Sequence, residues 1–211
     1  MESSNSAGGY EDGYASCNCF WGMSPGSLVK TFIENRPKLD GMRVLDLGCG
    51  EGKNASAFAK SGARVAAVDC SPQALVNGRR AFPDQKIEWY LSEAQIYLSN
   101  LPKNESFDII VMYGLLHCLP SAEDVASLVR SALEKTEIGG HHFVVAFNNG
   151  PHDLSAHPGF SPTLLPHDFY LRLYGEQKIL LQSDSILHEI HPHNQIPHFH
   201  SLSRIIVRKE R

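Results

Sequence analysis

Val44-Leu-Asp-Leu-Gly-Cys-Gly-Glu-Gly52 is the stretch whose reading decides the fold. It begins inside the apolar run Arg43–Leu47, continues as a Gly-x-Gly-x-Gly turn, and leads into a helix-forming segment from Lys53 to Ser61. Glycines in such a turn let the backbone bend sharply and let a flat ligand approach without a Cβ in the way. The free N–H groups at the start of the next helix favour a carboxylate or phosphate.

Outward from this stretch, strand and helix signals alternate. Arg64–Val68 reads as a second strand, and Ser71-Pro72 caps a helix running to about Ala81. Ile87–Leu91 and the branched run Phe107–Met112 read as third and fourth strands, the latter buried on both faces. Glu123–Glu134 has helical spacing. Gly139-Gly140 reads as a turn before a fifth strand, His142–Phe147. Upstream, Leu28, Val29, Phe32 and Ile33 have helical spacing, with Ser24 as the expected N-cap, Pro25 in the first turn, and Pro37 and Gly41 closing the helix. This rhythm predicts a parallel α/β sheet with helices on both faces. Lys178–Leu181, Ser185–Ile190 and Ser203–Arg208 read as strands of an antiparallel ending, with a turn around Asn194 between the last two.

The second strand ends in Asp69, within Ala67-Val-Asp-Cys-Ser71. An acid there can accept hydrogen bonds from both hydroxyls of an adenosine ribose. A nicotinamide oxidoreductase would show Gly-x-Gly-x-x-Gly, but here the third glycine comes one place early. Asp46 would also repel a pyrophosphate.

From about Trp21 onward the chain resembles the class I S-adenosylmethionine-dependent methyltransferases. Leu45–Gly52 looks like their first motif, Asp69 like their second-strand acid, and Phe107-Asp-Ile-Ile110 like their fourth motif. The resemblance implies a Rossmann-like fold, a seven-stranded, mostly parallel sheet with an antiparallel last strand. It implies S-adenosylmethionine as cofactor and S-adenosylhomocysteine as product. It assigns Asp46, Gly48, Cys49, Gly50, Asp69 and Cys70 to cofactor binding, with Glu93 and Ala94 on the adenine side and Met112 and Trp21 completing the site. Tyr113 and His117 follow the fourth strand, where donor and acceptor meet. His117 is the candidate general base for a hydroxyl or amine acceptor, and Tyr113 the candidate orienting residue.

The ending is similar to that of the tellurite-resistance branch: Leu187-His-Glu-Ile-His191, Phe199, then the basic strand Ser203–Lys209. That likeness implies a small acceptor, a thiol or a chalcogen oxyanion such as tellurite or selenite. Two alternatives stay open: an O- or N-methyltransferase of a specialised-metabolite pathway, and a non-catalytic S-adenosylmethionine-binding regulator.

The chain has 211 residues, enough for one domain, with 42% hydrophobic and 20% charged residues and a net charge of -4. No basic stripe points to nucleic acid, no run is apolar enough for a membrane span, and Met1–Ser4 does not read as a secretory leader. Five cysteines, an odd number, suit reduced thiols in a cytoplasmic protein, monomer or homodimer. Residues 1–20 read as a flexible segment whose Tyr10 and Tyr14, with Trp21, are candidates for a lid over the domain 21–211. His157, His167, His188, His191, His193, His198 and His200 crowd the C-terminal third. The reading assigns them no metal and places the last five on a solvated hairpin face, with His191 first among those that could line an acceptor pocket.

Overall fold

The computed structural model describes residues 10–157, 159–191 and 195–211. The elements run α1 Glu11–Ser16, α2 Ser27–Asn35, β1 Arg43–Leu47, α3 Lys53–Lys60, β2 Arg64–Asp69, α4 Pro72–Ala81, β3 Ile87–Leu91, α5 Ala94–Asn100 and β4 Phe107–Tyr113. A 3-10 turn Leu116–Cys118, α6 Ala122–Glu134, β5 Thr136–His152, α7 His167–Arg172, β6 Lys178–Ile190 and β7 Pro197–Arg208 complete them.

The seven strands form one sheet in the order β3-β2-β1-β4-β5-β7-β6. The first five pair in parallel, and β7 lies antiparallel between β5 and β6. The chain reverses direction across the sheet between β1 and β4. A doubly wound sheet opens a crevice at that switch point, above the C-terminal strand ends.

Side-chain alternation builds the two cores. Leu45, Ile110, Met112 and Val144 point to one face, where α5, α6 and α7 cover them with Leu98, Leu128, Val129 and Tyr170. Val44, Ile109, Val111 and Phe143 point to the other, under Leu28 and Val29 of α2 and Phe58 of α3. Full burial of each such large side chain contributes roughly 1.5–3 kcal/mol.

Four expectations need correction. The cap of α2 is Gly26, not Ser24; its N–H donates to Asn54 Oδ1 at 2.8 Å, a tertiary bond that pulls the helix start downstream. Gly139-Gly140 is not a turn but part of β5, where the register shifts between Phe107 and Ile109 of the partner strand and Gly139 takes φ +80°. Lys178–Leu181 and Ser185–Ile190 are one strand, because Gln182–Ser185 keeps pairing with β7 despite its polarity. Helices α1, α5 and α7, six or seven residues each, were not expected. The turn around Asn194 lies outside the described residues.

Candidate active site

A cavity of about 430 Å³ opens where the switch point predicts. Its floor is the motif after β1. There Gly50 takes φ +54°, and a Cβ on it would come within 2.9 Å of the Tyr14 hydroxyl. Gly52 takes φ +79°, and a Cβ there would lie 2.3 Å from the Trp89 ring. Only glycine satisfies both the left-handed backbone and the close packing.

Asp69 holds this floor. Its Oδ2 accepts from the Gly50 N–H at 2.7 Å and its Oδ1 from the Ser71 N–H at 2.9 Å. Burial pushes its carboxyl up, and these N–H groups pull it back. Asp46 lies behind the floor, 1% exposed, and accepts from the Ala55 N–H at 3.0 Å at the start of α3. Burial pushes it up to about 7.

The N-terminal segment crosses the cavity. Tyr14 and Phe20 are buried, and Trp21 Nε1–H donates to the Tyr14 hydroxyl at 3.0 Å. Tyr10 sits edge-on to Trp21 with ring centroids 5.1 Å apart. Glu51, on the motif itself, holds the segment down: its Oε1 accepts from the Cys19 N–H at 2.8 Å and from the Asn77 amide at 2.9 Å. Lys53 donates to the Trp21 carbonyl at 3.1 Å.

Of the residues assigned to the site, Trp21, Gly48, Cys49, Gly50, Asp69, Cys70, Glu93, Ala94, Tyr113 and His117 all line the cavity. Asp46 and Met112 do not; Met112 is fully buried in the core on the α5–α6 side of the sheet. Glu93 also marks the start of α5. Sequence reasoning missed Glu51 and Lys53, which look like ordinary polar residues of a helix start, and Glu189 and Phe147, which the C-terminal strands bring in.

His117 sits in the 3-10 turn and is 4% exposed. Its Nδ1 accepts the Phe147 N–H at 3.1 Å, so the neutral ring carries its proton on Nε2. It stacks on the Phe147 ring at 4.0 Å, and burial pushes it down to about 3. The lone pair a general base needs is therefore engaged. The thiols offer no easy nucleophile: none of the five cysteines forms a disulfide, and burial pushes Cys70 up to about 11 and Cys118 up to about 12.

The solvated face expected for the C-terminal histidines does not form. His157, His191, His198 and His200 are buried, and among the described histidines of that stretch only His188 is exposed, on the other face of β6. His191 packs edge-on against Trp21 at 4.8 Å rather than lining the cavity. His193 lies outside the described residues.

Residues 44–140 match the methyltransferase domain family. This span holds the glycine motif, Asp69 and the fourth strand, on a sheet of class I order. The chain has the Rossmann-like fold of the class I S-adenosylmethionine-dependent methyltransferases. It is 32% identical over 118 residues to a ubiquinone biosynthesis O-methyltransferase of Aliivibrio fischeri, covering 55% of this chain and 48% of that protein. The chain spans about half the length of the curated relatives it matches. Among solved structures, TehB from Haemophilus influenzae superposes with a TM-score of 0.69 at 19% identity, covering 87% of this chain and 62% of TehB. The N-methyltransferase NodS from Bradyrhizobium japonicum, in complex with S-adenosylhomocysteine, gives 0.66 at 12% identity over 96% and 99%. These likenesses extend the shared fold past residue 140, through the antiparallel end of the sheet. No helix among the described residues is long and apolar enough to cross a membrane.

Proposed function

We propose that this chain methylates a small, soft nucleophile such as a thiol or a chalcogen oxyanion. The glycine floor, the acidic rim of Asp69 and Glu93, and the cavity's size suit S-adenosylmethionine. Asp69 would hold the ribose, Glu93 and Ala94 would flank the adenine, and Gly48, Cys49 and Gly50 would let the rest lie close. Asp46 and Met112 act from beneath, Asp46 by fixing the start of α3. Bound S-adenosylmethionine supplies a methyl on a positively charged sulfur. An in-line attack on it is favoured by a dry, apolar site, because charge is lost as the bond forms. Tyr10, Tyr14 and Trp21 would exclude water from above, while Leu115, Val145 and Phe147 give the acceptor end an apolar wall.

The observation that carries this reading is the engaged Nδ1 of His117. An imidazole that cannot accept a proton leaves the reaction to acceptors that are already good nucleophiles. His117 and Tyr113 then orient the acceptor. One observation favours the second reading, an oxygen or nitrogen acceptor: the Glu189 carboxylate lines the cavity, and burial raises its pKa above that of an ordinary carboxylate.

The test is incubation with S-adenosylmethionine and a panel of thiols, tellurite, selenite, phenols and amines, reading S-adenosylhomocysteine release. Release with a thiol or chalcogen acceptor is expected. Release only with phenols or amines, abolished by Glu189→Gln, would instead establish the second reading. Tight cofactor binding with no release on any acceptor would make the chain a regulator.

A further inference from the structure

The geometry points to a divalent metal site, of zinc class, built from Glu189, His191, His198 and His200, next to the cavity that Glu189 lines. Glu189 stands near the end of β6 and His191 one residue beyond it, while His198 and His200 lie at the start of β7. The antiparallel pairing sets Glu189 opposite His198 and Leu187 opposite His200. Glu189 Oε1 lies 3.8 Å from His191 Nε2, 3.7 Å from His198 Nε2 and 3.8 Å from His200 Nε2. His191 Nε2 and His198 Nε2 are 3.1 Å apart. Ligands on a tetrahedral zinc at its usual bond lengths stand roughly 3.4 Å from one another. The spacings of Glu189, His191 and His198 bracket that value, and His200 joins through Glu189 and through a second trio with His198 and His157. His157, in the loop after β5, places a ring nitrogen within 4.8 Å of those of His198 and His200 and is a further ligand in reach.

The hydrogen bonds around the cluster fix where the protons sit. A backbone carbonyl only accepts. His198 Nδ1, 2.8 Å from the Ile196 carbonyl, therefore carries a proton, and its Nε2 presents a lone pair. His152 Nε2, 2.7 Å from the Asn148 carbonyl, also carries a proton, so its Nδ1 is an acceptor. That acceptor faces His200 Nδ1 at 3.4 Å, which assigns the His200 proton to Nδ1. His200 Nε2 is then a bare lone pair. It belongs to a fully buried side chain and has no hydrogen-bond partner among the described residues. His198 Nε2 accepts from His191 Nε2 at 3.1 Å, a proton that a metal would displace. That leaves the His200 lone pair facing the Glu189 carboxylate oxygen at 3.8 Å with no proton between them. Buried, such an arrangement is repulsive unless a cation fills it. A ring N–H tied to a backbone carbonyl, as in His198, is the usual outer shell of a metal-binding histidine. An imidazole-rich set with a single carboxylate suits zinc and its neighbours rather than magnesium or calcium.

A metal here would clamp the open end of the β6–β7 hairpin. It would also brace the support beneath Trp21, whose ring meets His191 edge-on. The role is independent of which acceptor is methylated.

The test uses the full chain after dialysis against a chelator. Titration with zinc chloride alone, followed by calorimetry, is expected to show one saturable equivalent and a higher melting temperature. Cobalt chloride should give the visible absorption of a tetrahedral site. Glu189→Gln and His198→Asn should each weaken zinc binding at least tenfold, whereas His188→Ala should leave it unchanged. Should His198→Asn not fold, Glu189→Gln, which keeps the side-chain volume, decides alone. Absence of saturable zinc binding, or equal affinity in Glu189→Gln and the unaltered chain, would overturn the site and would show that protons alone balance the cluster.

Discussion

The backbone N–H of Phe147 reaches Nδ1 of His117 across 3.1 Å, and the Phe147 ring lies parallel to that imidazole at 4.0 Å. One residue thus fixes both the tautomer and the plane of the histidine that stands at the acceptor end of the cavity. The neutral ring stays neutral through the physiological range, held down to about 3 by burial.

A general base typically contributes 10²–10⁴-fold. His117→Asn, which keeps an acceptor for the Phe147 N–H, is therefore expected to lower kcat/KM for a thiol acceptor by less than about tenfold. The pH profile of kcat/KM should show no limb that disappears in the variant. A loss of several hundredfold together with loss of a limb near neutrality would restore His117 as the base.

Trp21 joins the covering segment to the floor through Tyr14 and Lys53. Trp21→Ala removes the ring and the hydrogen bond to Tyr14. It should weaken cofactor binding by about 1–3 kcal/mol, the cost of one exposed hydrogen-bond partner and lost packing. Hydrogen exchange checks the cause: amides of residues 10–21 should gain protection on adding S-adenosylhomocysteine to the unaltered chain, but not to the variant.

Away from the site, a buried relay ties the turn after α7 to β5 and α6. Tyr174 donates to His142 Nδ1 at 2.9 Å, His142 Nε2 donates to the Thr136 hydroxyl at 2.7 Å, and that hydroxyl donates to the Ala132 carbonyl at 2.7 Å. Tyr174→Phe leaves a buried acceptor unmet and should cost about 1–3 kcal/mol of stability. His142 is also held down to about 3, so below its ordinary value of 6.5 the unfolded chain takes up a proton that the folded chain refuses. Its contribution is present above about pH 6.5 and shrinks as the pH falls towards 3. Chemical denaturation between pH 7 and 5 should show stability dropping with acid, and His142→Gln should flatten that slope.

The cofactor half of the fold was legible because physics concentrates its signal. The apolar strand Arg43–Leu47, a glycine turn and an acid at the end of the next strand form one continuous pattern, whose turn and acid line the cavity above that strand's end. Met112 was misplaced by strand parity: its neighbours Val111 and Tyr113 point to the opposite face of β4, while its own side chain enters the core. Helix α5 escaped notice because a seven-residue helix with only Leu98 buried has no period to read. The histidines failed differently. Alternation correctly puts His198 and His200 on one face of β7, but a strand does not reveal what covers that face, and here it is the loop bearing His157 and the aromatic segment around Trp21. The acceptor end is assembled from β4, β5, β6 and β7, residues far apart in the chain with no shared motif.

Calorimetric titration of S-adenosylhomocysteine into the unaltered chain and into Asp69→Ala tests the central claim most directly. One-to-one binding to the unaltered chain is predicted, at least tenfold weaker in the variant, with the far-ultraviolet circular dichroism unchanged. No binding to the unaltered chain, or the same affinity in both, would contradict the assignment of the cavity between Gly50 and Asp69 to the cofactor.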